Sequence, residues 1–213
     1  MAELPRCRQA TWADVDRWAD RLAERIRGQG DPPDVLVGVT RGGWVPTRLL
    51  SDRIGTRRVV SLRIQHWGVT ATPSGAAEVT EELSGPVRGH RALIVDDIAD
   101  TGESLHLARE RVARDGALSV ETAACLYITH SKLIPTYFAE EIDRSRWVWI
   151  IFPWNYWEDL RTLVERTGAP TPEQAKTLLS EQSGVEFPID DIDRVFPMNA
   201  PRARGARSRT TDR

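Results

Sequence analysis

Lysine, cysteine and long apolar runs are all scarce in this chain of 213 residues. Only two of its 29 basic residues are lysines, Lys132 and Lys176, so a single arginine carries little information and a lysine is the rarer choice. The net charge of −2 and the pI of about 6.1 argue against a general nucleic-acid-binding protein, which would usually present a basic face. A hydrophobic fraction of 40% and a charged fraction of 28% indicate an ordinary globular chain, mainly one domain.

Two further absences bear on the compartment. Cys7 and Cys125 lie far apart in the sequence, which favours reduced thiols over a disulfide framework or a metal site. No stretch approaches the roughly 18 consecutive apolar residues of a membrane span, and the first ten residues lack the apolar core of a secretory signal. We therefore expect a cytoplasmic protein with no membrane partner. The histidines have no metal-ligand spacing, and structural or surface roles are expected for His66, His90, His106 and His130.

Short apolar runs alternate with helical patterns along most of the chain. Strands are predicted at 35–39, 59–64, 92–95, 120–128 and 147–152. Helices are predicted from a capping box at Thr11 to Gly28, and at 46–54, 103–114, 156–166 and 172–181. This alternation predicts an α/β fold with a doubly wound, mostly parallel sheet. Residues 66–89 have few periodic apolar residues and are predicted to form a flexible loop.

The predicted domain covers residues 1–197, with a core at about 34–154 and a small C-terminal helical cap at 155–197. Residues 198–213 form a basic tail that is expected to be disordered, and an interaction arm is the alternative. The tail arginines are Arg202, Arg204, Arg207, Arg209 and Arg213.

The segment ALIVDDIADTGESL concentrates the residues that bear chemistry. An apolar strand ends in two adjacent carboxylates, Asp96 and Asp97, and the turn that follows opens a helix. The free amides of a first helical turn, with the hydroxyls of Thr101 and Ser104, form a phosphate cradle that Gly102 lets the anion approach closely. Carboxylates beside such a cradle suit sugar hydroxyls or a magnesium ion, so the residues predict a phosphorylated sugar as ligand.

This segment resembles the phosphoribosyl pyrophosphate signature of the type I phosphoribosyltransferases. The resemblance implies the fold of that family, with Asp96 and Asp97 on the ribose 2′- and 3′-hydroxyls. It also implies Mg²⁺ as cofactor, which the same two acids would hold directly or through water. The 5′-phosphate would be bound by Thr101, Gly102, Glu103 and Ser104. Glu103 departs from the pattern, because a carboxylate beside a phosphate is unfavourable unless its side chain points away.

A second motif, VGVTRGGWVPTRLL, places Arg41, Gly42 and Gly43 directly after a buried strand. Exposed amides and one fixed cation suit a pyrophosphate group, although a Gly-Gly turn alone is often only structural. The motif resembles the pyrophosphate loop of the 6-oxopurine members of the same family. In that family a flexible loop, the hood, closes over the bound pyrophosphate. The predicted loop of this chain corresponds to the hood and contains Thr70, Thr72, Ser74 and Gly75.

The base-binding expectations rest on the same resemblance. The run WVWIIFPW alternates like a half-buried strand, which by itself is explained by core packing. It is similar to a stretch of bacterial xanthine-guanine enzymes, and on that similarity Trp149 stacks on the purine and the backbone at Trp149 and Ile150 meets its exocyclic groups. Lys132 would donate to the 6-oxo oxygen; as an ordinary lysine it would be a solvated surface residue. Asn155 stands where the relatives often have an acid, which leaves the preferred base open.

Asp100, just before the phosphate turn, occupies the place where 6-oxopurine enzymes have the acid that hydrogen-bonds N7. It is the catalytic residue on this interpretation, a general base for the N7 proton. The resemblance thus implies transfer of a 5-phosphoribosyl group from phosphoribosyl pyrophosphate to N9 of xanthine, guanine or hypoxanthine, in purine salvage, by a homodimer without a nucleic-acid partner. Two alternatives remain, a phosphoribosyltransferase for an unusual base in specialised metabolism and a regulator on the same fold that senses phosphoribosyl pyrophosphate.

Overall fold

The computed structural model describes residues 3–66, 77–146 and 148–196, and it divides the chain into two compact units. The larger unit is Ala10–Trp147, and the smaller one combines Met1–Gln9 with Val148–Arg213. Each helix in these ranges is too short or too polar to span a lipid bilayer. The elements, in chain order, are β1 (Cys7–Gln9), α1 (Trp12–Arg27), β2 (Val35–Thr40), α2 (Trp44–Ile54), β3 (Val59–His66), β4 (Ala77–Glu81), β5 (Arg91–Ala99), α3 (Glu103–Arg114), β6 (Ser119–Ile128), β7 (Tyr137–Ile142), a 3₁₀ turn (Arg144–Arg146), β8 (Trp149–Ile151), α4 (Tyr156–Thr167), α5 (Pro172–Ser183) and α6 (Ile189–Val195).

The larger unit is built on a six-stranded sheet in the order β4-β3-β2-β5-β6-β7. All neighbouring strands are parallel except β4, which runs antiparallel to β3. Helices α1 and α2 pack together against one face, and α3 packs against the other. This is a doubly wound, mostly parallel α/β sheet, and the predicted fold class is confirmed.

The central strands are apolar on both faces because both faces are covered. In β2, the side chains of Val37 and Val39 belong to the core on the α3 side, together with Leu105 and Val112 of α3. Gly38, between them, faces α2, where a Cβ would lie 2.8 Å from the Trp44 ring. The apolar residues of β2 fix the strand between the two helical layers, and the glycine-rich turn at 41–43 follows directly at its carboxyl end.

Helix α1 begins at the predicted capping box. The backbone N–H of Thr11 donates to Asp14 Oδ2 at 2.8 Å, and the backbone N–H of Asp14 donates to Thr11 Oγ1 at 3.1 Å. These bonds satisfy donors that the first helical turn leaves open. The helix buries Trp18, Leu22 and Ile26 on one side, as the apolar spacing predicts.

Several elements differ from the sequence-based expectations. The predicted loop at 66–89 contains the five-residue strand β4, four of whose residues pair with β3 at the sheet edge. Strand β7 was also missed, because its alternation is interrupted by acidic residues. Residues 67–76, which include Thr70, Thr72, Ser74 and Gly75 of the predicted hood, lie outside the described residues.

The predicted aromatic strand at 147–152 is not part of the main sheet. It forms β8, which pairs in parallel with β1 in a separate two-stranded sheet of the smaller unit. Ile151 of β8 packs with Leu160, Phe187 and Ile192 of the C-terminal helical segment. The strand therefore joins the N-terminal residues and the helices α4 to α6 around one small core, and residues 197–213 with the predicted tail lie outside the described residues.

Candidate active site

Three loops of the larger unit follow neighbouring parallel strands, β2, β5 and β6. With the last strand residues that lead into them, they span residues 40–43, 96–104 and 129–132. Because parallel strands end at the same edge, ligands of such sheets bind where these loops meet. The contacts within and between the loops define the candidate site.

The Gly42–Gly43 turn lies directly against Asp96 and Asp97, which are inside β5 and not after it, because the strand continues to Ala99. A Cβ on Gly42 would lie 2.0 Å from Oδ2 of Asp97, and a Cβ on Gly43 would lie 2.5 Å from the carbonyl oxygen of Val95. Neither approach leaves room for a side chain. The glycines are thus required by close packing of the turn after β2 on β5, and Arg41 is exposed beside them.

Asp96 and Asp97 are both buried. The backbone N–H of Asp97 donates to Asp96 Oδ1 at 2.9 Å. Burial, followed by the charge of Asp97, raises the pKa of Asp96 well above its usual range. A cation or a set of hydroxyl donors at this position would relieve that cost, so the pair is suited to a polyhydroxyl ligand or a metal-bound one.

The turn at residues 101–104, the proposed phosphate turn, opens α3 at the predicted position. Gly102 has φ +79° and immediately precedes α3, whose first-turn amides begin at Glu103. Thr101 Oγ1 accepts from the Glu103 N–H at 3.4 Å, and the Thr101 carbonyl accepts from the Lys132 N–H at 2.9 Å. A helix N-terminus preceded by a left-handed glycine can accommodate a phosphate, and Ser104 lies in its first turn.

Asp100 has a neighbour that the sequence analysis did not identify. Its Oδ1 lies 3.3 Å from Nε2 of His130, in the loop after β6. The contact is close enough for an ion pair but is not aligned as a hydrogen bond, so this buried oxygen retains its accepting capacity. His130 is exposed, in agreement with the surface role expected for it, although it borders Asp100. Its position after a strand that ends at the site edge is the signal that could have singled it out.

Lys132 does not contact Asp100 in the described structure. Its Nζ lies 3.3 Å from Oε1 of Glu103, and its side chain is 78% exposed. The Glu103 carboxylate, the one departure within the phosphate turn, therefore has a cation beside it. An exposed pair of this kind contributes about 0–1 kcal/mol and holds the lysine only weakly.

The other two predicted base-binding residues belong to the smaller unit. Trp149 is half-buried and Ile150 is buried in β8. The backbone N–H of Trp149 donates to the Arg6 carbonyl at 2.8 Å, so this donor is used in the pairing of β8 with the N-terminal segment. Asn155, which precedes α4, makes no side-chain capping bond.

A protein-only metal centre is not formed by the described part of the chain, which has no group of three or more His, Cys, Asp or Glu side chains able to hold an ion. Mg²⁺ binds readily through one or two carboxylates when substrate oxygens and water complete its shell. The adjacent, buried Asp96 and Asp97 fit this mode.

A family model described as the phosphoribosyl transferase domain matches residues 11–159. The chain belongs to the phosphoribosyltransferase family. A xanthine-guanine phosphoribosyltransferase of Cereibacter sphaeroides is 34% identical over 152 residues, covering 68% of this chain and 84% of the relative. A second, from Gluconobacter oxydans, is 28% identical over 149 residues, covering 68% of this chain and 82% of the relative.

A solved structure shows the same relationship. The purine phosphoribosyltransferase from Pyrococcus horikoshii superposes with a TM-score of 0.59 at 30% identity, covering 70% of this chain and 93% of that chain. The matched family region contains every loop residue of the site, from Arg41 to Lys132, and also Trp149 and Ile150. This phosphoribosyltransferase is therefore an enzyme whose candidate site lies within the family domain.

Proposed function

We propose that this phosphoribosyltransferase transfers the 5-phosphoribosyl group of phosphoribosyl pyrophosphate to N9 of a 6-oxopurine, namely xanthine, guanine or hypoxanthine. The observation that carries the proposal is the packing of the Gly42–Gly43 turn on Asp97, one strand away from the phosphate turn at the start of α3. That packing supports the proposal, because it brings the proposed pyrophosphate loop and the proposed ribose-binding acids to one sheet edge. The similarity to xanthine-guanine enzymes supports the purine as acceptor.

Each loop has a separate task in binding phosphoribosyl pyrophosphate. Arg41, with the amides of Gly42 and Gly43, binds the pyrophosphate, because a guanidinium and exposed N–H groups complement its oxygens. The carboxylates of Asp96 and Asp97 accept from the ribose hydroxyls. The 5′-phosphate lies at the N-terminus of α3, held by the turn residues Thr101, Gly102, Glu103 and Ser104.

Magnesium belongs to the proposal as the partner of pyrophosphate. Asp96 and Asp97 would hold it, directly or through water, and their burial gives a reason for a cation at this point. When bound, the ion neutralises charge on the leaving group.

The base meets Asp100 and the residues that the family resemblance assigns to it, Lys132, Trp149 and Ile150. During the reaction, the bond from C1′ to the pyrophosphate oxygen breaks and the electron pair leaves with pyrophosphate. The bond from N9 to C1′ forms, and the N7 proton passes to the Asp100 carboxylate. The protein contributes mainly by holding the two reactants in line and by accepting that proton.

The biological setting in the proposal is purine salvage in the cytoplasm by a homodimer. One specific observation keeps a second acceptor open: Asn155, whose amide both donates and accepts, stands next to the aromatic segment and makes no capping bond. An unusual base in specialised metabolism is therefore the alternative substrate, and a regulator that senses phosphoribosyl pyrophosphate is the alternative for the fold as a whole.

The deciding experiment is a chromatographic assay of purified protein with phosphoribosyl pyrophosphate and Mg²⁺. Xanthine, guanine and hypoxanthine are offered separately, with adenine and orotate as comparison acceptors. We expect nucleoside monophosphate and pyrophosphate in equal amounts from at least one 6-oxopurine. Folded protein that binds phosphoribosyl pyrophosphate but converts none of the three 6-oxopurines would contradict the proposal, and turnover of another base would favour the specialised alternative.

A further inference from the structure

The side chain of Glu103 has no task in the proposed reaction, although it lies at the phosphate turn. We infer that Glu103 and Lys132 form a charge pair that sets the affinity of this turn, in which Lys132 neutralises the Glu103 carboxylate and keeps it away from the 5′-phosphate. The carrying observation is the 3.3 Å contact between Lys132 Nζ and Glu103 Oε1. The inference rests on the proposed function, which places the 5′-phosphate at this turn.

The Glu103 carboxylate belongs to the same residue as one of the amides proposed to bind the phosphate. Glu103 is the first residue of α3 and directly follows Gly102, so its N–H lies at the N-terminus of the helix. A glutamate side chain is short enough that its carboxylate stays within about 6 Å of its own amide nitrogen. Its negative charge therefore opposes a phosphate bound at this helix end, unless a cation offsets it.

Lys132 supplies that cation from the loop after β6. The Glu103 side chain is only 35% exposed, so water screens its charge less than the charge of a fully exposed carboxylate. The lysine covers part of the remaining surface and brings the net charge of the pair to zero. A phosphate that approaches the turn then meets the helix amides without an uncompensated carboxylate beside them.

Backbone contacts hold Lys132 within reach of Glu103. The Lys132 N–H donates to the Thr101 carbonyl at 2.9 Å, which ties the lysine to the phosphate turn itself. A Cβ on Gly102 would lie 2.4 Å from Ser131 Oγ, so the residue before Lys132 is also packed on the turn. The two partners therefore lie on segments that are joined to each other, unlike the partners of a chance contact between independent surface loops.

The pair has more influence on ligand binding than on folding. An exposed ion pair adds little to stability, but a phosphate carries between one and two negative charges, so one unit charge beside it changes the binding constant. Without Lys132, the Glu103 carboxylate can turn toward the phosphate. Without Glu103, Lys132 has no carboxylate to neutralise. The effect of Lys132 on phosphate affinity should therefore depend on the presence of Glu103.

The test uses ribose 5-phosphate, which carries the phosphate but neither a base nor a pyrophosphate. Its Kd is measured by calorimetry at low and at high salt for the wild-type enzyme, Lys132→Gln, Glu103→Gln and the double variant. Lys132→Arg restores the cation. Glu110→Gln is the matched control, because Glu110 is an exposed acid on the same helix that pairs with His106.

Two further measurements accompany the binding constants. Steady-state kinetics gives the KM for phosphoribosyl pyrophosphate and the KM for hypoxanthine, which separates an effect on the phosphate turn from an effect on the base. Circular dichroism checks that each variant is folded.

We expect Lys132→Gln to raise the Kd of ribose 5-phosphate about 3-fold to 10-fold, and Lys132→Arg to stay within about twofold of wild type. Glu103→Gln should lower the Kd about 2-fold to 5-fold, and adding Lys132→Gln to it should change the Kd by less than about twofold. The KM for phosphoribosyl pyrophosphate should follow the same order. These differences should shrink at high salt, because they are Coulombic, and Glu110→Gln should keep the wild-type Kd.

The inference is overturned if Lys132→Gln leaves the Kd of ribose 5-phosphate unchanged, or raises it equally with and without Glu103. A change in the KM for hypoxanthine alone would likewise contradict it and leave Lys132 to the base. Wild-type protein that binds ribose 5-phosphate but converts no 6-oxopurine would reject the proposed acceptor, while the Kd values of the variants would still decide the inference. Wild-type protein that binds neither ribose 5-phosphate nor phosphoribosyl pyrophosphate would reject both.

Discussion

Gly102 and Ser131 approach so closely that a Cβ on the glycine would lie 2.4 Å from the serine Oγ. The same Cβ would lie 2.7 Å from the Leu133 amide nitrogen, and Gly102 has φ +79°. Two independent constraints, a left-handed backbone and a close approach, therefore act on one residue. They join the phosphate turn to the loop after β6, which bears both His130 and Lys132.

Gly102→Ala should lose more stability than its backbone conformation alone accounts for. Gly55 is the matched control, because it has the same φ of +79° and nothing within 4 Å of a Cβ. Gly55→Ala should cost about 1–2 kcal/mol, the cost of a left-handed non-glycine residue. Gly102→Ala should exceed that and also raise the KM for phosphoribosyl pyrophosphate at least about 10-fold. Thermal unfolding and steady-state kinetics measure both, and equal losses in the two variants would contradict the close-packing argument.

The parts of the fold that could be predicted are those specified by local patterns. Strand β5, the turn after it and α3 follow one another in a continuous run, so apolar spacing locates the start of β5 within one residue and α3 at 103–114. The end of β5 was predicted four residues too early, because the strand continues through the polar Asp96 and Asp97 to Ala99. The partner of β8 could not be predicted. It is the three-residue strand Cys7–Gln9, whose pairing depends on contacts about 140 residues away in the sequence.

The same distinction applies to the site. Gly42 and Gly43 were recognised from a motif, but the reason for them, the approach to Asp97, lies in the pairing of β2 with β5. His130 belongs to no motif, and its approach to Asp100 follows from β6 running parallel to β5. Residues that act through proximity between loops are not visible in the spacing of a single segment.

Asp96 should make the stability of the ligand-free protein depend on pH. Burial and Asp97 raise its pKa in the folded state, so its favourable contribution is present below the ordinary carboxyl pKa and is lost as pH rises through the raised one. Asp96→Asn should therefore increase the Tm at pH 7 to 8, by about 2–4 °C for each kcal/mol regained, and the gain should shrink toward pH 4. Scanning calorimetry without substrates and Mg²⁺ measures this.

The control for Asp96→Asn is Asp52→Asn, because Asp52 is exposed and forms an exposed ion pair with Arg48. That variant should change the Tm little at any pH. A Tm for Asp96→Asn that equals wild type across the whole pH range would contradict the buried, charge-coupled description of the pair.

Arg41→Ala should weaken binding of the pyrophosphate group. A guanidinium on a pyrophosphate makes strong charge-assisted hydrogen bonds, so the KM for phosphoribosyl pyrophosphate should rise about 10-fold to 100-fold with little change in the KM for the base. Inhibition by pyrophosphate should weaken by a similar factor. Arg48→Ala, five residues beyond Gly43 on the exposed side of α2, is the control and should leave both constants unchanged. A rise in the KM for the base alone would contradict the assignment of Arg41 to the pyrophosphate group.

Asp100→Asn tests whether the Asp100 carboxylate is the general base, because asparagine has nearly the same shape as aspartate. The amide cannot take the N7 proton, so kcat should fall by about 10²-fold to 10⁴-fold, the usual contribution of a positioned acid or base. The KM for phosphoribosyl pyrophosphate should stay within about threefold, because the phosphate turn begins one residue later and contacts the loop after β6 through the Thr101 carbonyl. Steady-state kinetics with each 6-oxopurine measures the fall, with Asp52→Asn as the control. A kcat that is indifferent to Asp100→Asn would exclude proton transfer to this carboxylate, and with it the strongest chemical reason for a purine acceptor.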